Sequence, residues 1–331
     1  MIITKTPLRI SFVGGGSDIE EFYSKQEGAV LSAAINKYMY ISSHHFFDKD
    51  KIRVKYSKTE TVASVDEINH PIMREVLRKF NVAGALEISS NSDVPAGTGL
   101  ASSSAFTVGL LHNLYAKNGK LVLRERLAEE ACDIEINRLK EPIGKQDQYA
   151  CAVGGLNVLR FLPSGEVAVE PVHLKKELFK ELQKNLLMFF TGEQRSAGDI
   201  LKEQKENLKG GIKTEILKEM VGLVYKLRDA LYAGELDKFG PLLHENWLLK
   251  RKLASAITNP VVDGIYSRGL ENGATGGKLL GAGGAGFMLF YCPQKAQERL
   301  RAALSNLTEM KFKFDGEGTK LIYAGDEYSA R

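Results

Sequence analysis

The sequence predicts an α+β fold divided into two domains, and three observations carry that expectation. Segments that alternate like strands and segments with helical periodicity are mixed in both halves of the chain. The length of 331 residues suits about two domains. The composition shifts after Pro171, where the charged stretch 175–184 joins two halves, so the domains are expected over residues 1–175 and 176–331.

In the first half, residues 8–13 alternate as a strand, with Leu8, Ile10 and Phe12 on one face and Arg9 on the other. Gly14-Gly15-Gly16 ends that strand. Ser17, with Glu20 three residues on, has the capping-box pattern of a helix start, and Gly28 marks its end. Strands are expected at 38–44, 52–56 and 86–90, with a short helix at 72–80. A loop from Pro95 runs into a helix at 101–117, stopped by Asn118-Gly119. Another helix, 123–138, carries Leu123, Leu127, Ala131 and Ile134 as its apolar stripe, with Glu135 at the edge, and Pro142 breaks it. A strand at 156–161 meets a turn at Pro163-Ser164-Gly165. The second half reads as a strand at 186–191 and helical stretches at 197–208, 212–233 and 235–256. A glycine-rich segment at 273–286, a strand at 287–292, a helix at 294–305 and strands at 311–314 and 321–324 follow.

Composition narrows the function classes. With 44% hydrophobic and 26% charged residues the chain has the balance of a soluble globular enzyme, and it can bury a large core without metal or disulfide support. The net charge is +4 with no block of one sign, so neither nucleic acid nor an anionic membrane is an expected partner. Cys132, Cys151 and Cys292 lie far apart, which supports neither a zinc cluster nor a disulfide framework and fits a reducing compartment. The N-terminus lacks a signal-peptide pattern, and no run approaches the ~20 apolar residues of a membrane span. The expectation is a cytoplasmic protein, with a homo-oligomer left open.

Three glycine-rich loops carry the chemistry. In Pro95-Ala96-Gly97-Thr98-Gly99-Leu100-Ala101-Ser102-Ser103-Ser104-Ala105, two glycines allow close approach to a ligand and the loop feeds a helix start. Free backbone N–H groups and the positive end of the helix dipole make that start an anion site, and the serine hydroxyls can bind phosphate or magnesium. Gly281-Ala282-Gly283-Gly284-Ala285-Gly286 matches a dinucleotide fingerprint, but a strand rather than a helix follows, so that reading is rejected. Gly276-Gly277-Lys278 is no Walker loop, because Leu279 stands where Ser or Thr is required. Gly14-Gly15-Gly16-Ser17-Asp18 reads either as a strand-to-helix turn or as part of a site.

Asp147, between Gln146 and Gln148, is either a first-turn helix acid or the general base of a phosphoryl transfer. Glu135 is either a solvated helix acid or a magnesium ligand beside the serines. The histidines build no metal site, His244 reads as a packing residue, and no GxSxG hydrolase elbow occurs.

In company, three segments resemble the GHMP kinase family. Thr6-Pro7-Leu8-Arg9 through Asp18 is similar to its first motif, the Pro95–Ala105 loop to its signature phosphate loop, and residues 278–287 to its third motif. Ala101 stands for a usual glycine and Ser104 for a usual alanine. The resemblance implies an N-terminal α+β domain like one in a ribosomal protein, a ferredoxin-like C-terminal domain, and an active site in the cleft between them. It implies ATP and Mg2+ as cofactors, with Pro95, Gly97, Thr98, Gly99, Leu100, Ala101, Ser102, Ser103 and Ser104 at the nucleotide. Asp147 matches the family's catalytic acid and Arg9 the arginine beside it. Ser103 and Glu135 match magnesium ligands, and Asp18 a sugar-binding acid. With it, Gly15, Gly16, Ser17, Gln146, Arg195, Gly283 and Gly284 are expected at the substrate. The triple glycine and the Gly144-Lys145-Gln146-Asp147-Gln148-Tyr149 run resemble the branch that phosphorylates heptose phosphates and fucose-like sugars. A heptose phosphate is the favoured substrate; a free sugar, or a silent sugar and nucleotide sensor, is the alternative. A substrate that already carries phosphate needs a cation, for which Arg195, Lys250, Arg251 and Lys278 are candidates.

Overall fold

The computed structural model describes residues 1–192, 198–209, 211 and 213–325. In chain order the first half runs β1 (Ile2–Val13), α1 (Glu20–Tyr23), β2 (Gly28–His45), β3 (Ile52–Lys55), β4 (Thr59–Val62), α2 (Pro71–Lys79), β5 (Leu86–Ser92) and α3 (Ser102–Lys117). It continues through α4 (Arg124–Cys132), a π-helical turn (Asp133–Arg138), α5 (Gln146–Val153), β6 (Leu156–Phe161) and β7 (Val167–Pro171). The second half runs α6 (Lys176–Lys184), β8 (Leu186–Phe190), α7 (Gly198–Lys209), α8 (Thr214–Ala233), α9 (Phe239–Lys250) and α10 (Pro260–Glu271). It ends with β9 (Gly276–Leu279), β10 (Phe287–Tyr291), α11 (Gln297–Ala303), β11 (Thr308–Glu309) and β12 (Lys320–Ala324). The architecture is α+β, as expected.

Two sheets organise these elements. The first has eight strands, in the order β12-β1-β2-β5-β3-β4, with β6 and β7 added beside β2. The 18-residue β2 makes this possible: its first part pairs with β6, its last part with β5, and β1 runs along its other edge. The second sheet is four-stranded and antiparallel, in the order β11-β8-β10-β9. The expected split near residue 175 separates the two sheets with one exception. β12, assigned by position to the second half, is an edge strand of the first sheet against β1.

Strand alternation in β1 predicted one apolar face and one polar face. Instead both faces are covered. From Thr6 to Val13 every residue is buried, because α3 and α5 pack against the strand along with α8 and α9. Phe12 sits at the meeting point of the halves, edge-on to Phe239 of α9 at 5.1 Å and to Phe314 at 6.3 Å. Arg9 is carried into this buried layer with 3% exposure.

Several expected boundaries move. Ser17 caps no helix: α1 begins at Glu20 without a side-chain cap, and Gly28 lies in β2 rather than at a helix end. The Ser17 hydroxyl donates to the carbonyls of Gly14 and Ala29 and accepts from the Ala29 N–H. Leu123 precedes α4 and is 75% exposed, whereas Leu127, Ala131 and Ile134 are fully buried. Residues 311–314 form a single bridge, Ile35 to Phe314, rather than a strand. The helix α10 had no expectation at all, although Asn259 caps it by accepting from the Val262 N–H and Pro260 opens it.

Truncating Phe12 removes a filled contact between the halves. Phe12→Ala is expected to cost about 3–5 kcal/mol, read as a lowered midpoint in chemical denaturation followed by circular dichroism. An unchanged midpoint would show that the halves do not depend on this contact.

Candidate active site

A cleft of about 350 Å³ opens where the loop before α3 faces the glycine-rich loop between β9 and β10. Its floor is Arg9 and Ser11 of β1. The α3 end supplies Gly97, Gly99 and residues 101–104, the start of α5 supplies Gln146 and Asp147, and α9 supplies Lys250.

The end of the cleft beside α3 follows from local backbone geometry. Gly97 and Gly99 have positive φ, and the chain turns again at Ala101, whose φ of 65° and ψ of 34° are left-handed. A glycine would hold that conformation without strain; alanine holds it at a cost of about 1–2 kcal/mol. No side chain caps α3, a helix of 16 residues, so its first N–H groups and its dipole are directed to whatever enters the cleft. Gly99 is required for a second reason. A Cβ there would lie 2.6 Å from the Leu280 carbonyl oxygen, and one on Gly281 would lie 2.5 Å from the Gly99 Cα. The two glycine loops touch backbone to backbone, which is what shapes the cleft at this end.

The acid and its partner lie beside that loop. Arg9 donates from Nε to Asp147 Oδ1 at 2.8 Å, and its Nη2 is 2.7 Å from the same oxygen. Its Nη1 donates to the Gly99 carbonyl at 2.7 Å. Among the described residues no donor reaches Asp147 Oδ2, and the side chain is 26% exposed to the cleft. Asp147 lies in the first turn of α5, so it is both a helix-start acid and a cleft residue.

Glu135 is no solvated acid. It is 1% exposed and sits on the π-helical turn, a device found often at functional sites. Ser103 and Thr107 donate to its Oε1 at 3.0 Å each; Ser104 donates to Oε2 at 2.9 Å and Gln148 to the same oxygen at 2.5 Å. Burial raises its pKa in spite of these four donors. A carboxylate and the cleft-facing Ser103 hydroxyl are hard oxygen donors, and that donor set fits magnesium, which keeps waters and phosphates as its remaining ligands.

Asp18 is 2% exposed and already committed. It accepts from the N–H of Gly16 at 3.0 Å, from Gln146 Nε2 at 3.0 Å and from the Gln146 N–H at 3.2 Å. Burial, then the nearby charge of Asp147, raises its pKa above the ordinary value of 3.8.

The structure brings most of the expected residues together and separates others. Gly15, Gly16, Asp18, Gln146 and Gly283 line the cleft, while Ser17, Thr98, Leu100 and Gly284 do not. Thr98 donates to the Pro95 carbonyl, Leu100 is core, and Pro95 is an exposed loop residue. Gly284 spends its N–H on Ile257 and its carbonyl on Asn259. Of the four cations, Arg251 pairs with Asp263 at 3.0 Å, and Lys278 is fully buried against the Phe12 carbonyl, outside the cleft lining. Lys250 faces the cleft, and Arg195 lies outside the described residues. Gln204 of α7 lines the cleft without any sequence signal, since it stands in a run of alternating charges. Gly144, read from sequence as the start of the run to Tyr149 but not as a site residue, lies in the lining against Asp18. Thr107 had a signal that was missed, since it follows Ser103 by a helical turn.

Comparisons with known proteins give the chain a family. The profile of the GHMP kinases N terminal domain matches residues 68–155, and that of the GHMP kinases C terminal domain matches residues 227–309. A D-glycero-alpha-D-manno-heptose 7-phosphate kinase of Campylobacter jejuni is 29% identical over 96% of this chain and 98% of its own. A bifunctional fucokinase/GDP-fucose pyrophosphorylase of Arabidopsis thaliana is 27% identical over 93% of this chain, which spans 31% of that protein. The crystal structure of a D-glycero-D-manno-heptose 1-phosphate kinase from Bacteriodes thetaiotaomicron superposes with a TM-score of 0.80 at 25% identity, covering 98% of this chain and all of the other.

The raised pKa of Asp18 has a testable sign. Above 3.8 and up to its folded pKa, the folded chain holds a proton that the unfolded chain has lost, so stability falls as pH rises through that interval. Asp18→Asn removes this component. The denaturation midpoint of the variant relative to wild type is expected to climb as pH goes from acid to neutral; a pH-independent difference contradicts the assignment.

Proposed function

The chain belongs to the GHMP kinase family, and from that premise we propose that it transfers the γ-phosphoryl group of ATP to the anomeric hydroxyl of D-glycero-D-manno-heptose 7-phosphate, giving the 1,7-bisphosphate. It is an ATP-dependent sugar kinase. The observation that carries the reading is the single guanidinium that touches both the candidate base and the candidate phosphate loop, because a transfer needs an acid for the acceptor and an anion site for the donor side by side.

The chemistry follows from that placement. ATP enters with its phosphates on the uncapped start of α3 and the Gly97–Gly99 turns. Arg9 occupies Oδ1 of Asp147, which leaves Oδ2 to take the proton of the sugar hydroxyl as its oxygen attacks phosphorus. The bond from the γ-phosphorus to the bridging oxygen breaks, and ADP carries off the charge. Ser103 and Glu135 would hold a magnesium ion, whose contribution when bound is neutralisation of phosphate charge. Asp18, through its hold on Gln146 and Gly16, shapes the sugar end. Arg195, which falls between β8 and α7 in the sequence, is the proposed contact for the phosphate that the substrate already carries.

Asp147→Asn keeps an acceptor for Arg9 and removes only the proton-taking oxygen. Turnover is expected to drop about 10²–10⁴-fold with ATP binding retained, measured by coupled ADP release and calorimetric nucleotide titration; normal turnover would remove Asp147 as the base.

A panel of free and phosphorylated sugars is expected to give turnover with the heptose 7-phosphate and a product phosphorylated at the anomeric oxygen by phosphorus NMR. Turnover with fucose alone, or with the heptose 1-phosphate alone, would displace this substrate.

A further inference from the structure

Lysine is almost never fully buried without a partner charge. Lys250, the last residue of α9, is 6% exposed, and among the described residues no carboxylate pairs with it. Its ammonium donates to one acceptor, the carbonyl of Gly281, on the loop that touches Gly99. An ammonium has three N–H groups, so two are left, and Lys250 lines the cleft with Arg9 and Asp147. Burial, then the charge of Arg9, brings its pKa down to about 8, while Asp147 and Asp18 act in the opposite direction. Arg9 has its charge answered by Asp147. Lys250 has no carboxylate at ion-pair distance among the described residues, Asp147 and Asp18 acting on it only from farther off, so its burial stays costly until an anion arrives.

We propose that Lys250 is a catalytic residue, an ammonium that contacts the phosphoryl group while it passes from ATP to the sugar oxygen. The inference rests on the kinase reading above. Its position decides which phosphate it serves. Gly281 ties it to the phosphate loop and Arg9 and Asp147 share its field, so it stands at the point of transfer rather than at the remote end of a heptose 7-phosphate. As the β–γ bridging bond breaks and the new oxygen–phosphorus bond forms, negative charge is spread over the equatorial oxygens of the moving group. Two free N–H groups held in place beside the moving group stabilise that charge more than they stabilise the ground state. The proton of the sugar hydroxyl still goes to Asp147, and Lys250 neither gives nor takes one. A latch that only fastened the Gly281 loop would need no charge, since a neutral donor meets a carbonyl as well.

The test is Lys250→Met, which keeps the buried stem and removes the ammonium, assayed with ATP, magnesium and the heptose 7-phosphate. The expected result is a fall in kcat of about 10²–10³-fold, with the KM for both substrates within about threefold of wild type and a melting temperature no lower than wild type. Lys250→Cys treated with 2-bromoethylamine restores an amine at the same place, and the native cysteines are all buried; it is expected to regain at least about a tenth of wild-type kcat. Three results overturn the proposal: kcat unchanged in Lys250→Met, a raised KM for the sugar phosphate with kcat kept, or alkylated Lys250→Cys as inactive as the untreated variant. Loss of the folded state in both variants also overturns it, by making Lys250 a structural support. The kinase reading fails separately, if the wild-type protein itself phosphorylates no sugar of the panel.

Discussion

The guanidinium of an arginine that is only 3% exposed, held between a carboxylate and a backbone carbonyl, sets the geometry of this cleft. Arg9 can do this because β1 is the strand against which helices from both halves pack. Asp147 lies at the start of α5 and Gly99 in the loop before α3, and both helices pack against β1. Removing Asp147 would leave the buried Arg9 charge without its partner, which is unfavourable, so the two residues depend on each other for their positions.

The second constraint is the approach of two glycine loops. One comes from the first half, before α3, and one from the second, between β9 and β10, and neither tolerates a side chain where Gly99 meets Gly281. Through this contact the second half contributes to a site built mainly on the first, and Lys250 reaches the cleft by fastening to the same loop. Glu135 closes the arrangement from behind α3. Four donors converge on it, so the first turns of α3 are held by an acid at their base while their leading N–H groups remain open toward the cleft.

Much of this was legible in residue order. Strand alternation located β1, and the loop of glycines and serines before a helical stretch located the start of α3 at the cleft, because both signals are local and arise from neighbouring residues. Glu135 was visible as an acid but not as a buried one, since the π-helical turn that carries it inward interrupts the expected α periodicity. Ser17 carried a capping-box pattern, yet its hydroxyl is spent on Gly14 and Ala29 across a turn. Gln204 carried no pattern at all; only the packing of α7 beside Gly16 makes it a cleft residue.

Local chemistry alone determined that a helix starts just after the glycine turn at Gly99, that an acid stands between Gln146 and Gln148, and that strands and helices are mixed throughout. Tertiary structure decided which cations matter. Lys250, Arg251 and Lys278 are equivalent as letters, but one faces the cleft, one pairs with Asp263 and one is sealed against Phe12. The reason is that a charge acquires its role from what surrounds it in space, and those surroundings are assembled from residues far apart along the chain.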